Sequence, residues 1–436
     1  MNAAPTDQQY DPRPVIVIGG GLIGVATLYE LAVRGLPCLL LETREDVAEE
    51  TSFANGGMQT PSMPDPWNSP GVGHHLLESL FDPRSSMKLR WTAIPGLTVW
   101  GLEFLRNSVP SRHEATTVAN YHLASYSTTL TDEWRADAGL SYDYNDAGTL
   151  KVFETQQSMD AASMLAERLS RHGLQYEILD TAGVISTEPQ LSTIRERITG
   201  GLKFHQDRTG DARQFTQSLA TKATELGGVI RTRTHVLRIL SDGGRASAVE
   251  TNTGIIPARA VVLATGISAP VLARPHAIRL PIAPAKGYSY TVDACSLDDD
   301  MIRIPVIDDV MHAAVVPIGS RLRFVGTAEF AGKNKQIDPV RVDNLKSLFH
   351  RLFPHLVDRI DLSAGTAWAG LRPMSADGRP IIGASPLPGL WLNCGHGHLG
   401  WTKAAGSAKL LVDLMQNKVT DIDPAPYAYL RGRASI

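Results

Sequence analysis

The sequence predicts an α/β protein: a parallel sheet covered by helices, joined to a second domain built on an antiparallel sheet. Three observations predict it. The apolar run Val15-Ile16-Val17-Ile18 feeds directly into Gly19-Gly20-Gly21 and then into a helical pattern. Further on, Ala260-Val261-Val262-Leu263-Ala264 is continuously apolar, as a strand buried on both faces of a parallel sheet must be. Between this run and the C-terminus, Gly287 to Val292, Ala313 to Pro317 and Leu322 to Gly326 read as short strands of an antiparallel sheet.

The opening elements follow the order of a Rossmann-like dinucleotide site. Gly19, Gly21 and Gly24 make G-x-G-x-x-G. The first permits the tight turn off the strand, the second leaves the backbone bare toward a pyrophosphate, and the third lets the helix sit close to the sheet. The helix, Leu22 to Arg34 with Gly35 at its end, offers its N-terminal N–H groups at Leu22 and Ile23 to phosphate charge. A second strand, Cys38 to Leu41, ends at Glu42, followed by Thr43. A carboxylate at that place accepts hydrogen bonds from an adenosine ribose, and no Arg stands there to receive a 2′-phosphate. A purely structural βαβ unit is the competing reading of the glycines.

The nucleotide-binding pattern returns twice. Gln214 to Leu226 is helical, Val229 to Val236 strand-like, and the run to Ala264 ends in Thr265-Gly266. At the C-terminus the strand-like Leu390 to Cys394 leads through Gly395-His396-Gly397-His398-Leu399-Gly400 into a helix read from Thr402 to Met415, a second glycine-rich loop feeding a helix N-terminus. These returns divide the chain into a discontinuous nucleotide domain, 12–66, 155–273 and 364–430, and a second, substrate domain, 67–154 and 274–363, with residues 1–11 expected to be disordered.

The chain has 436 residues and a formal net charge of -3, which gives no electrostatic case for nucleic acid. Cys38, Cys295 and Cys394 are far apart and form no C-x-x-C, so neither a disulfide framework nor a cysteine-based metal or iron–sulfur site is expected. The doublets His74-His75 and His396-x-His398 lack supporting ligand spacing, and no metal is expected. The polar lead to Arg13 lacks the pattern of a signal peptide, and no stretch reaches the ~20 apolar residues of a membrane span. A cytoplasmic setting follows, with any membrane contact peripheral. The apolar residues of Trp91 to Leu105 are either core or such a contact surface.

With these parts assembled, the chain resembles the FAD-dependent amino-acid oxidoreductases related to D-amino acid oxidase and glycine oxidase, most of all the small subunit of bacterial D-amino acid dehydrogenases. The marks that carry the resemblance are Thr51-Ser52-Phe53-Ala54-Asn55-Gly56-Gly57, Gly148-Thr149-Leu150, Thr209-Gly210-Asp211, Lys286-Gly287-Tyr288-Ser289, Trp368 to Gly378, and Gly395-His396-Gly397 with Leu399-Gly400-Trp401-Thr402. The resemblance implies FAD, bound through the glycine loop, Glu42, Thr43, Ser52, Asn55, Gly56, Gly57, Met58, the Val236 backbone, Thr265, Gly266, Gly370, Gly395, Gly397, Leu399, Gly400, Trp401 and Thr402. Phe53 stands in the loop where some relatives carry a flavin-linked histidine, so non-covalent FAD is expected.

By the same resemblance Arg372, in Gly370-Leu371-Arg372-Pro373, takes the substrate α-carboxylate with its planar fork. Asp377-Gly378 reads as the turn that follows. Tyr288, Tyr290, Trp368 and His398 are further candidates to line the substrate pocket. His398 and Lys403 depart from the family pattern, which commonly has Thr and Met; His398 is the one side chain considered for proton transfer. The implied reaction is hydride transfer from Cα of a D-amino acid, or of a cyclic D-imino acid such as D-proline or hydroxy-D-proline, to the flavin N5, with electrons passed to a quinone or carrier protein. An oxygen-using oxidase of sarcosine, glycine or another secondary amine remains open, as does a flavin-binding relay subunit of a larger assembly. Substrate side chain, oligomeric state and further subunits are not read from the sequence.

Overall fold

The computed structural model describes residues 11–79 and 87–431. The lead expected to be disordered lies, but for Asp11, outside them.

The first sheet has six strands in the order Ile381–Ala384, Leu390–Cys394, Ala260–Leu263, Val15–Ile18, Cys38–Leu41 and Val229–Arg231, all parallel except the first. Its central strands are apolar throughout because each face is covered. Val15, Val17, Leu40 and Val262 pack beneath the helices Leu22–Val33, Ala212–Glu225 and Ala404–Met415. Ile16, Ile18, Leu39 and Val261 face the other way, toward a three-stranded meander, Val236–Asp242, Arg245–Thr251 and Gly254–Pro257, and the short helix Ala269–Ala273. The strand expected over Val229 to Val236 is therefore two strands in different sheets. Arg233, with φ of 53°, turns the chain out of the first and into the second.

The second sheet has nine strands and is mainly antiparallel. Its main path runs Thr366–Ser375, Ile282–Asp293, Arg321–Phe330, Ala313–Ile318, Val306–Asp308, Thr149–Phe153, Gly200–Phe204 and Tyr176–Asp180, and Met87–Leu89 pairs beside Arg321–Phe330. The helix Pro339–Leu352 covers one face, where Leu345, Leu348 and Phe349 meet Tyr290, Phe324 and Val315.

The sheets are not divided as expected from the sequence. Gly200–Phe204, Tyr176–Asp180 and Thr366–Ser375, placed with the nucleotide domain, all pair in the larger sheet. Conversely the helix Pro110–Ala138 joins the nucleotide-side core through Ala119, Leu123, Leu130 and Trp134. Pairing partners are fixed by long-range register, which local periodicity does not report.

The Trp91 to Leu105 stripe is split. In the helix Ile94–Arg106, Leu97 and Phe104 are buried and the Trp100 Nε1 donates to the Met374 carbonyl at 2.9 Å. Trp91, Val99, Leu102 and Leu105 are exposed. Among the described residues no helix is long and apolar enough to cross a membrane.

Candidate active site

The first site element is the turn at Gly19. Its φ of 106° is a left-handed value that glycine alone adopts without strain. A Cβ on Gly24 would lie 1.8 Å from the Gly19 carbonyl oxygen, so this glycine serves helix-to-strand packing and does not line the site. A Cβ on Gly21 would meet only the Ser52 Oγ at 3.7 Å, leaving the backbone open. The Leu22–Val33 helix starts at Gly21, which has no side chain to cap it, and carries no acidic residue in its first turn, so its end stays positive toward a ligand, although the Leu22 N–H expected to meet phosphate is taken by a side chain. Ser52 Oγ accepts from the Leu22 N–H at 3.1 Å. The Glu42 carboxylate accepts from the N–H groups of Gly20 at 2.6 Å and Arg44 at 2.7 Å, which fixes it at the end of the second strand.

From this turn a cavity of about 930 Å³ runs between the two sheets. Gly19, Gly21, Leu22, Ile23, Glu42 and Thr43 line one end together with Val236, Thr265 and Gly266. Ser52, Asn55, Gly56 and Met58 line the middle, where the segment lies on the large sheet: the Ser289 hydroxyl donates to the Ala54 carbonyl at 2.7 Å and Arg323 to the Asn55 carbonyl at 3.1 Å. Gly370, Gly395, Gly397, Leu399, Gly400 and Trp401 close the far side. Besides Gly24, two expected cofactor residues stand back from the cavity. Gly57 packs onto Ile318, and Thr402 is buried with its hydroxyl accepting from the Thr60 N–H at 3.0 Å. The helix expected from Thr402 begins at Ala404, after a short 3₁₀ turn at Gly397–Leu399.

Arg372 lines this cavity with no carboxylate partner among the described residues. On the Thr366–Ser375 strand it shares a face with Trp368 and Gly370, and across the pairing with Ala285, Gly287 and Ser289. Its guanidinium lies across Gly287, where a Cβ would come within 2.4 Å of Cζ. It donates to the Thr327 carbonyl at a long 3.5 Å and sits 5.4 Å from the Trp67 ring centre. Burial pushes its pKa down to about 10, with no acidic group offsetting the loss of water. It remains a cation at neutral pH, half-buried at the cavity wall, where an anion joining it offsets the water it has lost.

Tyr288 and Tyr290 alternate with Gly287 and Ser289 and so point to the opposite face. The Tyr288 hydroxyl donates to Glu329 at 2.5 Å and the Tyr290 hydroxyl to the Leu362 carbonyl at 2.6 Å. Tyr288 therefore only borders the cavity, and Tyr290 is core. Trp368 does line the cavity, its ring folded over Gly370.

His398 lines the cavity and stacks on Trp67, ring centres 5.3 Å apart. Burial, then the positive charges of Lys403 and Arg372, push its pKa down to about 3, so it is neutral in use. Lys403 is buried behind the loop, its Nζ donating to the Asn120 Oδ1 at 2.8 Å, and burial pushes it down to about 7. Asn120 in turn donates to the Pro64 and Gly378 carbonyls. Asp377-Gly378 forms the expected turn, with Gly378 N–H donating to Ser375 at 3.1 Å. Although burial acts to raise it, the Asp377 carboxyl is held at about 2 by Arg431 and Arg379. Trp67, Met63, Ile307, Ala314 and Val325 also line the cavity and were not singled out from sequence.

A family model described as FAD dependent oxidoreductase matches residues 14–414. The chain belongs to this family. Similar relatives include the D-amino acid dehydrogenases of Cereibacter sphaeroides strain ATCC 17023, 39% identical with 94% of this chain and 93% of the relative covered, and of Paramagnetospirillum magneticum AMB-1, 38% identical with 94% and 96% covered. Among solved structures, a glycine oxidase from Geobacillus kaustophilus superimposes with a TM-score of 0.74 over 97% of this chain and 99% of that one at 23% identity. An L-proline dehydrogenase from P. horikoshii gives 0.77 over 96% and 97% at 19% identity. These last two speak for the fold.

This FAD dependent oxidoreductase has a cavity that fits its cofactor. The bare backbone at Gly21 and the positive end of the Leu22–Val33 helix suit the pyrophosphate, and the buried Thr265 Oγ1, Asn393 Oδ1 and Trp401 Nε1 on the cavity wall have no protein partner among the described residues.

Proposed function

We propose that the protein is a D-amino acid dehydrogenase. It oxidises a D-amino acid, or a cyclic D-imino acid such as D-proline or hydroxy-D-proline, and passes the electrons to a quinone or another carrier. The observation that carries this reading is Arg372, a half-buried guanidinium with no carboxylate partner among the described residues, facing the same cavity as the Ser52 to Met58 cofactor segment. A carboxylate on the substrate completes the ion pair and places Cα over the cofactor end of the cavity. D configuration and dehydrogenase activity are taken from the names of relatives that share over a third of their residues with this chain. A subunit that only relayed electrons has no use for such an anchor.

Bound FAD would supply the acceptor for the hydride that leaves Cα; water then converts the iminium of a primary amino acid to a 2-oxo acid and ammonia, whereas a cyclic imino acid gives the cyclic imine and releases no ammonia. Trp67, Trp368 and Met63 wall the carboxylate end with ring and thioether surface, which limits water around the ion pair. His398, already neutral above pH about 3, is too weak a base to strip a proton from an ammonium group; it can accept a hydrogen bond from the amine. The substrate proton therefore leaves to solvent before oxidation.

A pH profile follows. Catalytic efficiency should rise as the substrate ammonium titrates and fall near pH 10, where Arg372 loses the charge that holds the carboxylate. Because Lys403 titrates at about 7, the rising limb is checked in Lys403→Met: a limb that follows the pKa of each substrate and survives this substitution agrees with the assignment. A limb that vanishes with Lys403 contradicts it.

Acceptor and substrate are tested together by measuring peroxide, reduction of a quinone analogue and, for primary amino acids, ammonia, from D-, L- and N-methyl amino acids and D-proline with and without the analogue. Ammonia from D-amino acids only when the analogue is present is the expected result. Peroxide from sarcosine or glycine supports the oxidase reading, and ammonia from L-amino acids alone overturns the proposal. A cytoplasmic location with peripheral membrane contact belongs to the same reading, supported by the exposed Trp91, Val99, Leu102 and Leu105.

A further inference from the structure

Beyond Arg372 the cavity continues across the large sheet, and its walls change character. The strand register lays Val325, Ala314 and Ile307 side by side on the face that carries Ser289, one from each of three successive strands. Met58 and Met63 pack over these three from the opposite wall. All five line the cavity, which along this stretch is therefore a channel with apolar walls. It starts at Val325, two residues before the Thr327 carbonyl that receives the Arg372 guanidinium, and reaches His312, an exposed residue that also lines the cavity. From Val325 to Ile307 it crosses two strand spacings, about 10 Å.

We infer that this channel takes the substrate side chain, and that the protein prefers D-amino acids with an unbranched apolar side chain of about four carbons to D-alanine, Ala314 setting the width available. The inference rests on the proposed D-amino acid oxidation and adds the substrate class to it. With the carboxylate fixed at Arg372, a methyl side chain reaches only the mouth of the channel and leaves its walls facing water or void. Each further methylene covers apolar wall, which is worth roughly a threefold gain in binding. A carboxylate at the end of the chain lies instead against Val325, Ala314, Ile307 and two thioethers with no donor to replace its water. Small Ala314 stands between the larger Val325 and Ile307, and methionines on the facing wall adapt to chains of different length.

The test uses the FAD-loaded enzyme and a dye acceptor to compare kcat/KM for D-alanine, D-norvaline, D-norleucine and D-glutamate. A rise of about threefold per methylene to D-norleucine is expected, with D-glutamate below D-alanine. Ala314→Leu should reduce the ratio of D-norleucine to D-alanine by about tenfold, since its added carbons occupy the channel. A flat or falling wild-type series, or a ratio unchanged in the variant, overturns the channel assignment. If Ala314→Leu does not fold, the wild-type series decides alone. Oxidation of D-alanine with a flat series sinks only this inference, whereas failure of every D-amino acid removes the function on which it rests.

Discussion

Arg372→Met should lower kcat/KM for D-amino acids by about a thousandfold, because it removes the charge-assisted fork that holds the substrate carboxylate. The reason is local. Arg372 has one long hydrogen bond to a carbonyl and no carboxylate partner, so the carboxylate it awaits is the substrate's. Arg372→Lys keeps the charge but not the planar fork, and the loss should be smaller and appear mainly as a raised KM. Neither variant should lose FAD or melt earlier than the parent. Arg372 is half-buried with no ion pair to break, and Met or Lys is a tolerable replacement for it at the wall of a partly apolar cavity. Substrate kinetics unchanged in both would remove Arg372 from the site.

Gly21→Val should yield a folded protein that purifies without colour, its affinity for FAD reduced by about a hundredfold or more. A Cβ at this position meets nothing closer than the Ser52 Oγ at 3.7 Å, so the apoprotein accommodates the side chain. The pyrophosphate does not, because the valine methyls stand between it and the N-terminus of the Leu22–Val33 helix. Gly24→Val is the contrasting case, since its Cβ would strike the Gly19 carbonyl at 1.8 Å and break the turn itself. Circular dichroism and flavin content separate the two: intact fold without flavin for the first, lost fold for the second. Normal yellow colour in Gly21→Val would contradict the placement of the phosphates.

The cofactor half of the site was legible because its signals are local. A strand, a turn with glycines at fixed offsets, a helix and an acid at the next strand end need only contiguous sequence, and Gly19, Gly21 and Glu42 stand at the cavity as read. The apolar runs at Val15 and Ala260 predicted a sheet covered on both faces for the same reason. The substrate half depends on which strands pair and which face turns inward. Alternation in Gly287-Tyr288-Ser289-Tyr290 distinguishes two faces without saying which meets the ligand, and the aromatic face proved to be core. The small residues were the better signal, since Gly287 leaves the room in which Arg372 lies. Trp67 sits in an irregular stretch between Pro61 and Pro70 where no periodicity operates, and only the folded chain brings it beneath Arg372 and His398. Thr366–Ser375 falls within the 364–430 segment expected to join the nucleotide domain, yet hydrogen bonding puts it in the other sheet.

The most direct measurement is anaerobic mixing of the purified yellow holoenzyme with D-alanine, D-norleucine and their L-enantiomers, followed by the visible absorbance of the flavin. The account predicts bleaching by the D-amino acids, slowed about a thousandfold at low substrate in Arg372→Met. Bleaching confined to L-amino acids, or equal rates in parent and variant, would contradict it.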